Sequence, residues 1–126
     1  MTEDTDIIKL QQTLADLYKE GKISLAYLFG SFAKGDVHKR SDIDLAVYFN
    51  TKDEKETSKC IDNILMSGDR DIKILRLDDE DESPFIIQEA MKGIPLVEPD
   101  TDTLYSLAHR ALHEAESIRF RRETVS

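Results

Sequence analysis

Gly30-Ser31 is followed, after ten intervening residues, by Asp42-Ile43-Asp44. Each half of that pattern suits a phosphate. Gly30 has no Cβ, so a phosphate can approach its backbone closely. A helix beginning at Ser31 would add unpaired N–H groups and a hydroxyl. Carboxylates at i and i+2 of a strand project from one face, so Asp42 and Asp44 would stand side by side. Such a pair repels itself and is costly to bury unless cations offset the charge. Mg²⁺ is a hard cation that often bridges one or two carboxylates to substrate phosphates. Asp71 opens a further apolar stretch, Asp71-Ile72-Lys73-Ile74-Leu75, and reaches the same patch if that stretch lies beside the Asp42 strand. Three carboxylates, two metal ions and a phosphate-binding turn are the parts of phosphoryl or nucleotidyl transfer.

Elements of alternating type must hold these residues in place. Ile7, Leu10, Leu14 and Leu17 recur at helical spacing, and Gly21 ends that helix. Residues 23–29 read as a buried strand that stops at Gly30, and residues 34–41 as a polar loop. From Asp42 to Phe49 the pattern alternates, with Ile43, Leu45, Val47 and Phe49 on one face and Asp42, Asp44, Ala46 and Tyr48 on the other. Residues 53–66 read as a helix facing inward through Thr57, through Cys60 or Ile61, and through Ile64 or Leu65. Residues 71–77 read as a third strand. The acids Asp78 to Glu82 read as a solvated loop. Ser83 and Pro84 suit the N-cap and first position of a helix ending at Gly93. Residues 94–97 read as a last strand, Pro99-Asp100 as a turn, and residues 102–123 as a long amphipathic helix. Its inner face takes Leu104, Leu107 or Ala108, Ala111, Ala115 and Ile118. The fold class expected is therefore α/β (α+β): a small mixed sheet of about four strands flanked by helices, in one domain spanning 1–126.

Composition closes other routes. The 126 residues carry 26 acids and 17 bases, a formal net charge of −9. That disfavours direct, non-specific binding to nucleic acid, which draws on Lys and Arg. One cysteine, Cys60, precludes an internal disulfide and reads as a buried small hydrophobe. His38, His109 and His113 make no zinc pattern with it. No apolar run approaches the roughly 20 residues that cross a bilayer, and the first residues are acidic where a signal peptide is basic. A cytoplasmic protein without membrane contact is expected.

Gly30-Ser31-Phe32-Ala33-Lys34-Gly35 through Ser41-Asp42-Ile43-Asp44-Leu45 resembles the signature of the minimal nucleotidyltransferases, in the DNA polymerase β-like superfamily. Asp71 to Leu75 resembles that family's third-carboxylate strand, and Ser83 to Glu98 its closing helix, glycine and strand. The long tail helix resembles the MntA-type antitoxins, which are paired with HEPN-domain ribonuclease toxins and transfer AMP from ATP to a toxin tyrosine. The resemblance implies a polymerase β palm-like fold, ATP as substrate and a cognate HEPN toxin as partner. Asp42, Asp44 and Asp71 are then the catalytic residues and the ligands of two Mg²⁺ ions, with Asp71 able to accept the proton of the incoming hydroxyl. Gly30, Ser31, Lys34 and Ser41 would bind the nucleotide, with Lys39 and Arg40 beside its phosphates. Two residues depart from the family pattern. Lys34 stands where Arg is frequent, which keeps the charge and loses the bidentate fork. Arg70 stands before Asp71, where an apolar residue is commoner. Arg119, Arg121 and Arg122 suit either an acidic partner or a helix C-terminus. Two other functions fit the same chain: an antitoxin that only occludes its toxin, and a nucleotidyltransferase acting on a small molecule. Three clustered acids weigh against the first, and the lack of an acceptor domain against the second.

Overall fold

Leu10, Leu14 and Leu17 are buried at 4% exposure or less, and their spacing winds the first segment into α1 (Thr5–Lys19). The computed structural model describes residues 5–30, 43–68 and 71–124. After α1 come β1 (Ile23–Phe29), β2 (Ile43–Phe49), α2 (Glu54–Leu65), β3 (Ile72–Arg76), α3 (Pro84–Met91), β4 (Ile94–Pro95) and α4 (Thr101–Thr124). The strands form one mixed sheet in the order β3-β2-β1-β4. β1 pairs antiparallel with β2 and β4, whereas β2 and β3 are parallel, α2 making the crossover between them. The expected element order and mixed four-stranded sheet are both present.

The alternation of β2 divides the core in two. Ile43, Leu45, Val47 and Phe49 pack with α1 and α2, including Leu14, Cys60 and Ile64. Ala46 and Tyr48 lie on the other face with Leu25 and Tyr27 of β1, Ile87 and Ala90 of α3, and Leu107 and Ala111 of α4. In α2 the inward choices are Thr57, Cys60 and Ile64, while Leu65 is exposed. Asp53 caps that helix, its carboxylate accepting from the Lys55 amide at 3.0 Å. In α4 the inward residue is Leu107 rather than Ala108. Among the described residues no helix is long and apolar enough to cross a membrane.

Three readings need correction. The last strand is two residues long rather than four, since Pro95 has no N–H for a ladder. The Leu96 amide still reaches the Ala26 carbonyl at 2.8 Å, after which Leu96 and Val97 pack against the α1/α2 core. Asp78 is not a solvated loop acid. Its carboxylate accepts from the Arg76 guanidinium at 2.9 Å and from the Phe49 amide at 3.4 Å, tying the ends of β2 and β3. Ser83 occupies the N-cap position of α3, but its side chain makes no capping bond.

Candidate active site

β1 ends because Gly30 takes a φ of +72°, in the left-handed region that glycine tolerates without steric cost. The antiparallel register sets Phe29 opposite Asp44, so the turn at Gly30 falls beside the Asp44 side chain. The fit is close. A Cβ built on Gly30 would lie 3.2 Å from Cγ of Asp44 and collide with Oδ2 of the same carboxylate. Gly30 is therefore seated against Asp44 in a backbone conformation that favours a residue without a side chain. Asp44 itself is half-buried at the start of β2, on the face opposite Ile43 and Leu45.

The residue that leads into β3, Asp71, supplies the second carboxylate. The Ile43 amide donates to the Asp71 carbonyl at 2.9 Å, and Ile43 pairs with Ile72 and Asp44 with Lys73. Side chains paired across neighbouring parallel strands point to the same side, and alternate residues share a face. Asp44, Lys73 and Asp71 therefore lie on one face of the sheet at one end, with Asp71 and Lys73 exposed. Lys73 was not singled out from the sequence. The signal was the alternation Asp71-Ile72-Lys73, which places a cation on whichever face carries Asp71.

Gly30, Asp44 and Asp71 are thus brought together by β1, β2 and β3. Ser31, Lys34, Lys39, Arg40, Ser41, Asp42 and Arg70 lie outside the described residues, as do the side chains of Arg119, Arg121 and Arg122. Among the described residues no three potential metal ligands converge. The two described carboxylates are hard oxygen donors and suit a cation such as Mg²⁺. The Asp44 carboxylate itself fills the space beside Gly30, so the turn and the acid are seated against each other.

Behind this end of the sheet, Gly93 closes α3 against β1. A Cβ on Gly93 would meet the Leu28 backbone, with Leu28 C only 3.0 Å away. The sequence marks Gly93 as a helix stop; its close approach to β1, two residues before Gly30, needed the fold. A cavity of about 670 Å³ lies at the opposite end of the sheet, among Tyr48, Asn50, Lys52, Arg76 and Asp78. It shares no residue with the carboxylate end.

The family model described as polymerase beta, nucleotidyltransferase matches residues 5–102. Solved structures share the fold. A toxin–antitoxin structure with AMP-PNP contains a chain 23% identical to this one, at a TM-score of 0.68, over 91% of this chain and 94% of that one. A structure of tri-AMPylated Shewanella oneidensis HEPN toxin with MNT antitoxin matches at 19% identity and a TM-score of 0.63, over 94% of each chain. The toxin–antitoxin MntA-HepT matches at 19% identity and 0.62, over 92% of each. A comparison with curated proteins finds no match.

Proposed function

The chain belongs to the polymerase β nucleotidyltransferase family, and from that premise we propose that it is an MntA-type antitoxin that transfers AMP from ATP to a tyrosine hydroxyl of a partner HEPN-domain toxin. The observation that carries this reading is the seating of the Asp44 carboxylate against Gly30, with Asp71 on the neighbouring strand and the same face. A protein that merely covered its partner would need no acids gathered beside the Gly30 turn. The structural neighbours add support, since one holds AMP-PNP and another an AMPylated HEPN toxin.

In the proposed reaction the acceptor oxygen forms a bond to the α-phosphorus of ATP, and pyrophosphate leaves. Asp42, Asp44 and Asp71 would hold Mg²⁺, which when bound supplies positive charge to the phosphates. Gly30 and Ser31, with Lys34 and Ser41, grip the triphosphate and fix the line of attack. Asp71 is exposed and able to take the proton from the incoming hydroxyl. Holding both reactants in one geometry accounts for much of the acceleration in chemistry of this kind.

The test uses the full chain, ATP labelled at the α-phosphate, Mg²⁺ and the neighbouring gene product. Label on that product, reduced at least about a hundredfold in Asp44→Asn, is the expected result, because metal-assisted charge stabilisation is worth several kcal/mol. A folded wild-type chain that silences its partner with no label transferred would overturn the enzyme reading and leave the occluding one.

A further inference from the structure

We infer that Lys73 is a phosphate-binding residue of the nucleotide site. The inference rests on the nucleotidyltransferase reading and adds to it a residue from the third strand other than the carboxylate. Three observations place Lys73 there. It pairs with Asp44 in the parallel β2–β3 ladder, so the two side chains start from neighbouring strands, roughly 5 Å apart, on the same face. It lies two residues after Asp71, on the same side of β3, where both are exposed. The next β2 residue on that face is Ala46, buried under α3 and α4, so the exposed Asp71 and Lys73 lie at the Gly30 end of the face.

The chemistry follows from charge. Asp44 and Asp71 attract a divalent cation, but by themselves they repel a triphosphate. A Lys ammonium on a flexible four-carbon stem is a mobile point charge with three donors. Rooted opposite Asp44 and two residues from Asp71, it is within reach of a phosphate that a metal ion draws toward them. Arg76 lies at the far end of β3, where it meets Asp78 at 2.9 Å, and so does not serve this end of the sheet. Its alternation puts it on the opposite face from Lys73.

The experiment is equilibrium binding of Mg·AMP-PNP and of AMP to the full-length wild type, Lys73→Met, Lys73→Arg and Asp44→Asn. Lys73 is exposed on an edge strand, so Met and Arg both fit the fold, and thermal melts verify this. The expected result is a weakening of AMP-PNP binding by about tenfold in Lys73→Met, or about 1.4 kcal/mol. Lys73→Arg should restore most of it, and AMP affinity should change much less. A purely structural role would not separate Met from Arg, nor the triphosphate from the monophosphate. Wild-type AMP-PNP affinity in Lys73→Met, alongside lost affinity in Asp44→Asn, would overturn the inference and leave the nucleotidyltransferase reading standing. No binding by the folded wild type would overturn both.

Discussion

Asp44 and Gly30 work as a pair, and the pairing is measurable. Gly30 has a φ of +72° and a carboxylate where its Cβ would go. An alanine there costs about 1–2 kcal/mol for the left-handed backbone alone, and it must also push the Asp44 carboxylate aside. Gly30→Ala should therefore lower the urea midpoint and abolish the proposed AMP transfer together. In an Asp44→Ala background the second cost disappears, so the same substitution should destabilise less. The coupling expected between touching residues is about 0.5–3 kcal/mol. Equal costs in both backgrounds would show that the carboxylate is not the obstacle. Much of this site was legible in the residues. Gly30 marks the turn that ends β1, and the alternation from Ile43 onward puts Asp44 on the face opposite the Ile43 core. Lys73 was not legible, because its place depends on which strand neighbours β2 and in what direction.

At the scale of elements, local pattern identified the helices and strands, and two long-range packing demands decided the rest. Turn residues and apolar periodicity give α1, α2, α3 and α4 their positions. The order β3-β2-β1-β4 comes from tertiary pairing that no local signal encodes. Gly93 shows the difference. It reads locally as a helix stop, yet in the fold it lets the α3–β4 connection press on the Leu28 backbone. A methyl there meets main chain rather than a flexible side-chain tip. Gly93→Ala should cost about 1–3 kcal/mol, as overpacking does, read from urea unfolding. It should also reduce transfer, since β1 carries Gly30. The start of α4 makes a separate prediction. The Asp100 carboxylate accepts from the Thr103 hydroxyl at 2.6 Å and its amide at 3.1 Å, and these bonds hold its pKa below the ordinary value. A depressed pKa adds stability that is fully present above the unfolded value, about 3.9, and that fades as pH falls through the folded value. The stability gap between wild type and Asp100→Ala should therefore shrink below about pH 4. A gap unchanged at pH 2 would assign the effect to something other than the ionised cap.

At the scale of the molecule the sheet separates two cores, and the carboxylate end depends on both. α4 has 24 residues, about 36 Å of helix, yet its anchorage rests on Leu107, Ala111 and Ala115, each 2% exposed or less. Cys60 is on the other side of the sheet, 1% exposed, and burial raises its thiol pKa. It offers a reporter of opening, because a buried protonated thiol reacts only when the structure around it opens. Leu107→Ala removes side-chain volume from the α3/α4 core and should cost at least about 2 kcal/mol. If the two cores melt together, the open population rises by the same free energy. Cys60 labelling by a thiol reagent should then accelerate about 30-fold, although Cys60 and Leu107 belong to different core clusters. The physical link is β1 and β2, whose alternate residues serve both clusters, so neither side can lose its packing without loosening the strands the other side uses. Unchanged Cys60 labelling in a Leu107→Ala chain that has lost stability by circular dichroism would mean that α4 detaches alone. In that case the proposed AMP transfer should also survive the substitution, because β1, β2 and β3 would keep Gly30, Asp44 and Asp71 in register. Under cooperative opening, labelling and loss of transfer should follow one denaturant curve.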